Sequence, residues 1–195
     1  MAQSIIALGL LLATLLVGVF FTYIYSLKRQ TYLLFWSAGW VLYGLHYLGP
    51  GLAPWFASPS FIVSLNHMLF GFAGICFFLG TQLYIRQQFW IYPAIGAAVV
   101  IALWSAANGL NYFSVSSYIP ASLIFVGVGF LFWRESQHPE TLADGLLSIA
   151  FVAWGLIFLV FPFLRLTPQD AEQALRPISS IPTAFVSMLL VMAVY

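Results

Sequence analysis

The amino-acid sequence predicts an all-α membrane protein, a bundle of seven transmembrane helices with its N-terminus outside and its C-terminus cytoplasmic. Three observations predict it. Of 195 residues, 63% are hydrophobic and only 6% are charged, where a soluble domain carries about 25% charged residues, and the mean hydropathy is +1.00. Cut at its charges, prolines and polar clusters, the chain falls into apolar stretches near the ~20 residues that cross a hydrocarbon core about 30 Å thick. Finally, Lys and Arg follow the odd-numbered stretches and are absent after the second and fourth, the asymmetry that orients a membrane protein.

The first span, Ser4 to Tyr25, has no basic residue before it and Lys28 and Arg29 after it. That is the reverse of a secretory signal peptide, so the segment is expected to stay attached as a first helix. The second, Tyr32 to Leu48, carries Trp36, Trp40, Tyr43 and Tyr47 at i, i+4, i+7 and i+11, one face of a helix. The third, Phe61 to Tyr84, sets Gly71 and Gly74 on the side of His67, which turns that imidazole toward a closely packed neighbour rather than lipid. In the fourth, Phe89 to Ala106, the stripe Ala94, Ala98, Ala102 and Ala106 predicts close helix packing.

The fifth span is Tyr112 to Trp133, ahead of Arg134, and the sixth is Leu142 to Phe163. Thr141 and Asp144 have capping-box spacing at the start of the sixth, and Thr167, Pro168 and Asp170 suggest a short surface helix after it. Asp144 is read as a cap or interfacial residue. A carboxylate at a helix centre would cost at least about 2.5 kcal/mol and mark an ion path, whereas Asp144 lies at an end. The seventh span runs from Pro177 or Ile181 to Tyr195.

Lys28, Arg29, Arg86 and Arg134 thus mark the cytoplasmic side. Arg165 and Arg176 oppose the rule, with Asp170 and Glu172 between them, and are outvoted. Residues 1–195 form a single transmembrane domain with nothing left for a soluble one. No basic residue, polar cap or glycine follows the last apolar run, so the seventh helix is expected to continue into a cytoplasmic region beyond this sequence.

A net charge of +1, with its few cations dispersed, excludes nucleic acid as a partner. The one cysteine, Cys76, allows no intrachain disulfide and is expected to be a small core residue. There is no Gly-rich phosphate loop, HExxH, CxxC or G-x-S-x-G, and the carboxylates are few and peripheral, so no catalysis is expected of this segment. Retinal is excluded because the only lysine, Lys28, lies in a loop.

Two features can bind. The aromatic stripe of the second span can line an apolar ligand cleft, or simply pack the bundle with Tyr47 at the interface. His46 lies near the outer end of span two and His67 a similar depth into span three, so antiparallel neighbours bring them level. Together they could clamp haem iron, or with Met68 hold copper. The plainer alternatives are a hydrated His46, a hydrogen-bonded core His67 beside Asn66, or a switch titrating near the ordinary histidine value of about 6.5. His138, near Arg134 and Glu135, is expected to be solvated. The candidate ligand residues are Trp36, Trp40, Tyr43, His46, Asn66, His67 and Trp154, any metal would fall to His46, His67 and Met68, and the cofactor stays open.

Leu34-Phe35-Trp36-Ser37-Ala38-Gly39-Trp40-Val41-Leu42-Tyr43-Gly44-Leu45-His46 resembles the second helix of N-terminal seven-helix input domains in bacterial sensor proteins. Ala153-Trp154-Gly155-Leu156-Ile157-Phe158-Leu159-Val160-Phe161-Pro162-Phe163-Leu164-Arg165 resembles their sixth helix. The resemblance implies a homodimeric input module of the bacterial inner membrane that detects a small apolar or periplasmic ligand. Its seventh helix would relay the signal to a cytoplasmic kinase or diguanylate cyclase. His46-Tyr47 and His67-Met68 are similar to fragments of the MHYT-type sensor motif in the wrong order, and copper binding is not transferred from it. A small membrane carrier is the alternative of another class, although spans one to three and five to seven show no self-similarity.

Overall fold

The computed structural model describes residues 2–48, 59–86, 90–109, 118–135 and 142–160. Among them the fold is entirely helical: α1 (Ala2–Lys28), α2 (Tyr32–His46), α3 (Pro59–Arg86), α4 (Ile91–Gly109), α5 (Ile119–Glu135) and α6 (Leu142–Val160). Each overlaps one of the first six expected stretches, most ends shifted by two or three residues, while α5 begins at Ile119, seven residues after the expected Tyr112. Span two stops at His46 because Tyr47 and Leu48 donate to Gly44 and Leu45, both at 3.0 Å, in a tightening turn. The seventh span, Thr141, His138 and the segment from Arg165 to Arg176 lie outside the described residues.

Among the described residues two helices are long and apolar enough to cross a membrane, α1 over Leu8–Lys28 and α3 over Ser64–Arg86. Ile91–Ala107 in α4 and Asp144–Leu159 in α6 are apolar but shorter. With 15 residues, α2 is only about 22 Å long at ~1.5 Å per residue.

α3 is the hub, packing against α2, α4 and α5, while α1 lies on α2 and α6 on α5. α4 and α5, though consecutive, barely touch. Small residues set the closest approaches. A Cβ on Gly129 would lie 2.8 Å from the Ser148 carbonyl oxygen, and one on Gly155 2.7 Å from that of Ser122, so only glycine lets the α5 and α6 backbones meet. Between α1 and α2 the contact is polar: Ser37 Oγ donates to the Gly18 carbonyl at 2.7 Å and shares a 2.7 Å hydrogen bond with Thr22 Oγ1. Their tight connection places Arg29 at φ 56°, a left-handed residue that ends α1.

The alanine stripe of α4 behaves only partly as expected. Ala94 is buried against Ile75 and Leu79 of α3, with Ala97 and Ala98 beside it, but Ala106 is exposed. Cys76 is half-buried rather than a core residue. The core proper is aromatic, centred on Trp36, Trp40, Phe77, Phe125, Phe151 and Trp154, none of which has any exposed surface.

The outer surface is apolar too. Along α1, Leu8, Leu12, Leu16, Val19, Tyr23 and Leu27 recur at helical spacing and all are exposed, while Leu11, Thr14, Phe21 and Ile24 between them face inward. The outward faces of α4, α5 and α6 carry Ile95, Leu103, Phe130 and Ile149 in the same way.

Candidate functional site

The α2 stripe runs through the middle of the molecule, with every ring engaged. Trp36 meets Phe21 edge-on at 5.7 Å and Tyr84 at 5.4 Å. Trp40 stacks on Trp154 with centroids 5.9 Å apart and planes 23° from parallel, and meets Phe77 at 5.2 Å. Tyr43 stands perpendicular to Trp154 at 4.9 Å and accepts a 2.7 Å hydrogen bond from the Tyr47 hydroxyl. Their surfaces are therefore covered by one another, and a ligand reaching this face would need the helices to part.

At the α2 C-terminus the lining turns polar. His46 Nδ1 lies 3.1 Å from the backbone oxygen of Asn66; a carbonyl only accepts, so Nδ1 is the donor. The ring of Tyr118, just before α5, meets His67 edge-on at 4.9 Å and His46 at 6.0 Å. Phe70 and Phe158 close the cluster, 4.8 Å apart, with Phe70 5.3 Å from His46. The two imidazoles thus share one end of the bundle, both against the Tyr118 ring.

Sequence reasoning missed Tyr118, Phe70 and Phe158. The only available signal was that Tyr118 lies two residues before Pro120, near the start of the fifth expected span. Met68 follows His67 and is turned about 100° around the helix from it, and it is half-buried. Among the described residues no group of three His, Cys, Asp or Glu side chains could hold a metal ion.

Several buried polar atoms of this core have no protein partner among the described residues: the indole Nε1 of Trp36, Trp40 and Trp154, and Asn66 Oδ1. A buried unmade hydrogen bond costs about 1–3 kcal/mol, so such groups are where a bound water or a ligand oxygen is most strongly held.

The opposite end holds a second polar group. Asp144 is in the first turn of α6, where the helix dipole favours a carboxylate, and its side chain is buried, with Oδ1 lacking a hydrogen-bond partner among the described residues. The Tyr84 hydroxyl is within hydrogen-bonding reach of its carboxyl, and Tyr84 in turn contacts Trp36 and Tyr32, the latter at 5.3 Å. Asp144, expected as a cap or interfacial residue, thus stands in the first turn of α6 with its side chain buried.

The chain matches no family model, no curated protein and no solved structure.

Proposed function

We propose that this chain is a membrane-embedded sensory input domain, a bundle of seven helices crossing the bilayer with the N-terminus outside. One observation carries the membrane part: large apolar side chains face away from the core. Leu16 is 69% exposed, Leu103 67% and Ile149 66%, while Thr14, Ser37, Gln82 and Ser148 are buried. An apolar belt of this extent would drive aggregation in water. In lipid it needs no cover, and association then depends on small residues and interhelical hydrogen bonds of the Gly129, Gly155 and Ser37 kind.

In this reading Lys28, Arg29, Arg86 and Arg134 lie on the cytoplasmic side, and His46, Asn66, His67 and Tyr118 toward the outside. The sensory part rests on the resemblance of the Leu34–His46 and Ala153–Arg165 segments to bacterial input domains. Its geometric counterpart is that these segments meet at the Trp40–Trp154 stack. The stimulus is a small, largely apolar molecule with an acceptor oxygen, which would answer the buried indole N–H groups. To throw a switch from 1:99 to 99:1, it must favour one state by about 5.5 kcal/mol.

Tryptophan fluorescence in lipid nanodiscs, followed while quinones, lipids and small metabolites are titrated, tests the reading. At least one is expected to give a saturable change that His46→Ala and Tyr118→Phe weaken. If none shifts the emission, and native mass spectrometry finds no bound small molecule, the sensory assignment is lost and the membrane assignment remains. The same spectrum reads the expected homodimer directly.

A further inference from the structure

Because α4 hardly touches α5, an apolar crevice of about 260 Å³ opens between them onto the flank of α3, walled by Ile75, Phe78, Pro93, Ala97, Leu123 and Gly127. We infer that this crevice holds an acyl chain of an anionic phospholipid from the cytoplasmic leaflet, with the lipid phosphate at Arg86. The inference rests on the membrane reading above and is independent of the sensory one.

The placement follows from helix geometry. Ile75, Phe78, Gln82 and Arg86 fall at i, i+3, i+7 and i+11 of α3 and so share one face. Arg86 lies 8 to 11 residues beyond the crevice wall, about 12–17 Å at ~1.5 Å per residue. Half of a hydrocarbon core about 30 Å thick is about 15 Å. A phosphate at Arg86 therefore sets the end of its acyl chain in the crevice.

The chemistry at the Arg86 end fits an anionic headgroup. The Arg86 guanidinium lies 5.2 Å over the Trp90 ring and makes no ion pair among the described residues, so its charge is available to a phosphate. Gln82 is 1% exposed, and its Oε1 accepts from the Trp90 amide at 3.3 Å while its Nε2 donors have no partner among the described residues. Trp90 itself is the amphipathic ring expected at headgroup depth. A second cation, Arg134, occurs on α5 at i+7 from Gly127, toward the same end because α3 and α5 run in parallel, with Gly74 beside Ile124.

Full-length protein in nanodiscs of mixed phosphatidylglycerol and phosphatidylcholine, released for native mass spectrometry, tests this. Wild type is expected to retain phosphatidylglycerol in preference to phosphatidylcholine. Arg86→Gln is expected to reduce that preference about tenfold, equivalent to about 1.4 kcal/mol. A Cβ on Gly127 meets nothing within 4 Å and Gly127 lines the crevice, so Gly127→Leu adds volume there without a clash at Cβ and is expected to release both lipids. Equal retention of the two lipids by wild type, lipid retained unchanged by Gly127→Leu, or equal binding of glycerol phosphate without acyl chains would overturn the inference. Failure of the protein to enter nanodiscs at all would overturn the membrane reading and this inference together.

Discussion

At the scale of single residues, Trp154 is a central ring of the aromatic core: it touches Trp40, Tyr43, Phe77, Phe125 and Phe151. Trp154→Ala should destabilise the fold by about 3–5 kcal/mol through lost burial and the cavity left behind, and Trp154→Phe by distinctly less, as measured by denaturant titration in mild detergent. Ser37→Ala removes the donor to Gly18 and the link to Thr22, and should cost about 1 kcal/mol, the scale of interhelical hydrogen bonds in membranes. Some of this was legible in the sequence. The i, i+4, i+7 spacing put Trp36, Trp40 and Tyr43 on one face, and the short return from span two to span three brought His46 and His67 to one level. Tyr118 and the burial of Asp144 were not legible, because both depend on which faces of α5 and α6 turn toward α3, and their local patterns leave that rotation open.

At the scale of elements, the α5–α6 pair should be the least tolerant of added volume. Gly129→Leu and Gly155→Leu each force a side chain into the opposing backbone and should cost at least about 1–3 kcal/mol, the range for overpacking. Gly96→Leu should be nearly neutral, because a Cβ there meets nothing within 4 Å. Thermal unfolding of the four proteins side by side checks the contrast; equal loss at Gly96 and Gly129 would contradict the packing described. The positions of the six helices could be read from apolar runs and basic connections alone. The alanine stripe of α4 could not be read to its end, since Ala94 and Ala98 face α3 whereas Ala106 is carried past it to the surface. Nor does chain order reveal that α4 leans on α3 and leaves α5, because neighbours in sequence are usually neighbours in space.

At the scale of the whole molecule, polarity is turned outward in: leucines, isoleucines and valines on the outside, with serines, threonines, Asn66, Gln82 and Asp144 within. The exposed apolar side chains agree with the composition, in which only 6% of residues are charged. Helix length is where composition was less informative. Two described helices reach membrane-crossing length and apolarity; α2 closes early in a tight turn at Tyr47 and Leu48, which a hydropathy pattern does not register.

The account's central claim is that the apolar belt faces lipid. Spin labels on single cysteines at Leu16, Leu103 and Ile149, in a Cys76→Ser background reconstituted into bilayers, read it most directly through collisions with oxygen and with a water-soluble nickel chelate. Oxygen partitions into hydrocarbon and the chelate does not, so all three sites should be accessible to oxygen and shielded from the chelate, with a label at Arg29 showing the opposite. Chelate access at Leu16, Leu103 and Ile149 equal to that at Arg29 would mean the belt is in water, and the membrane account would fail.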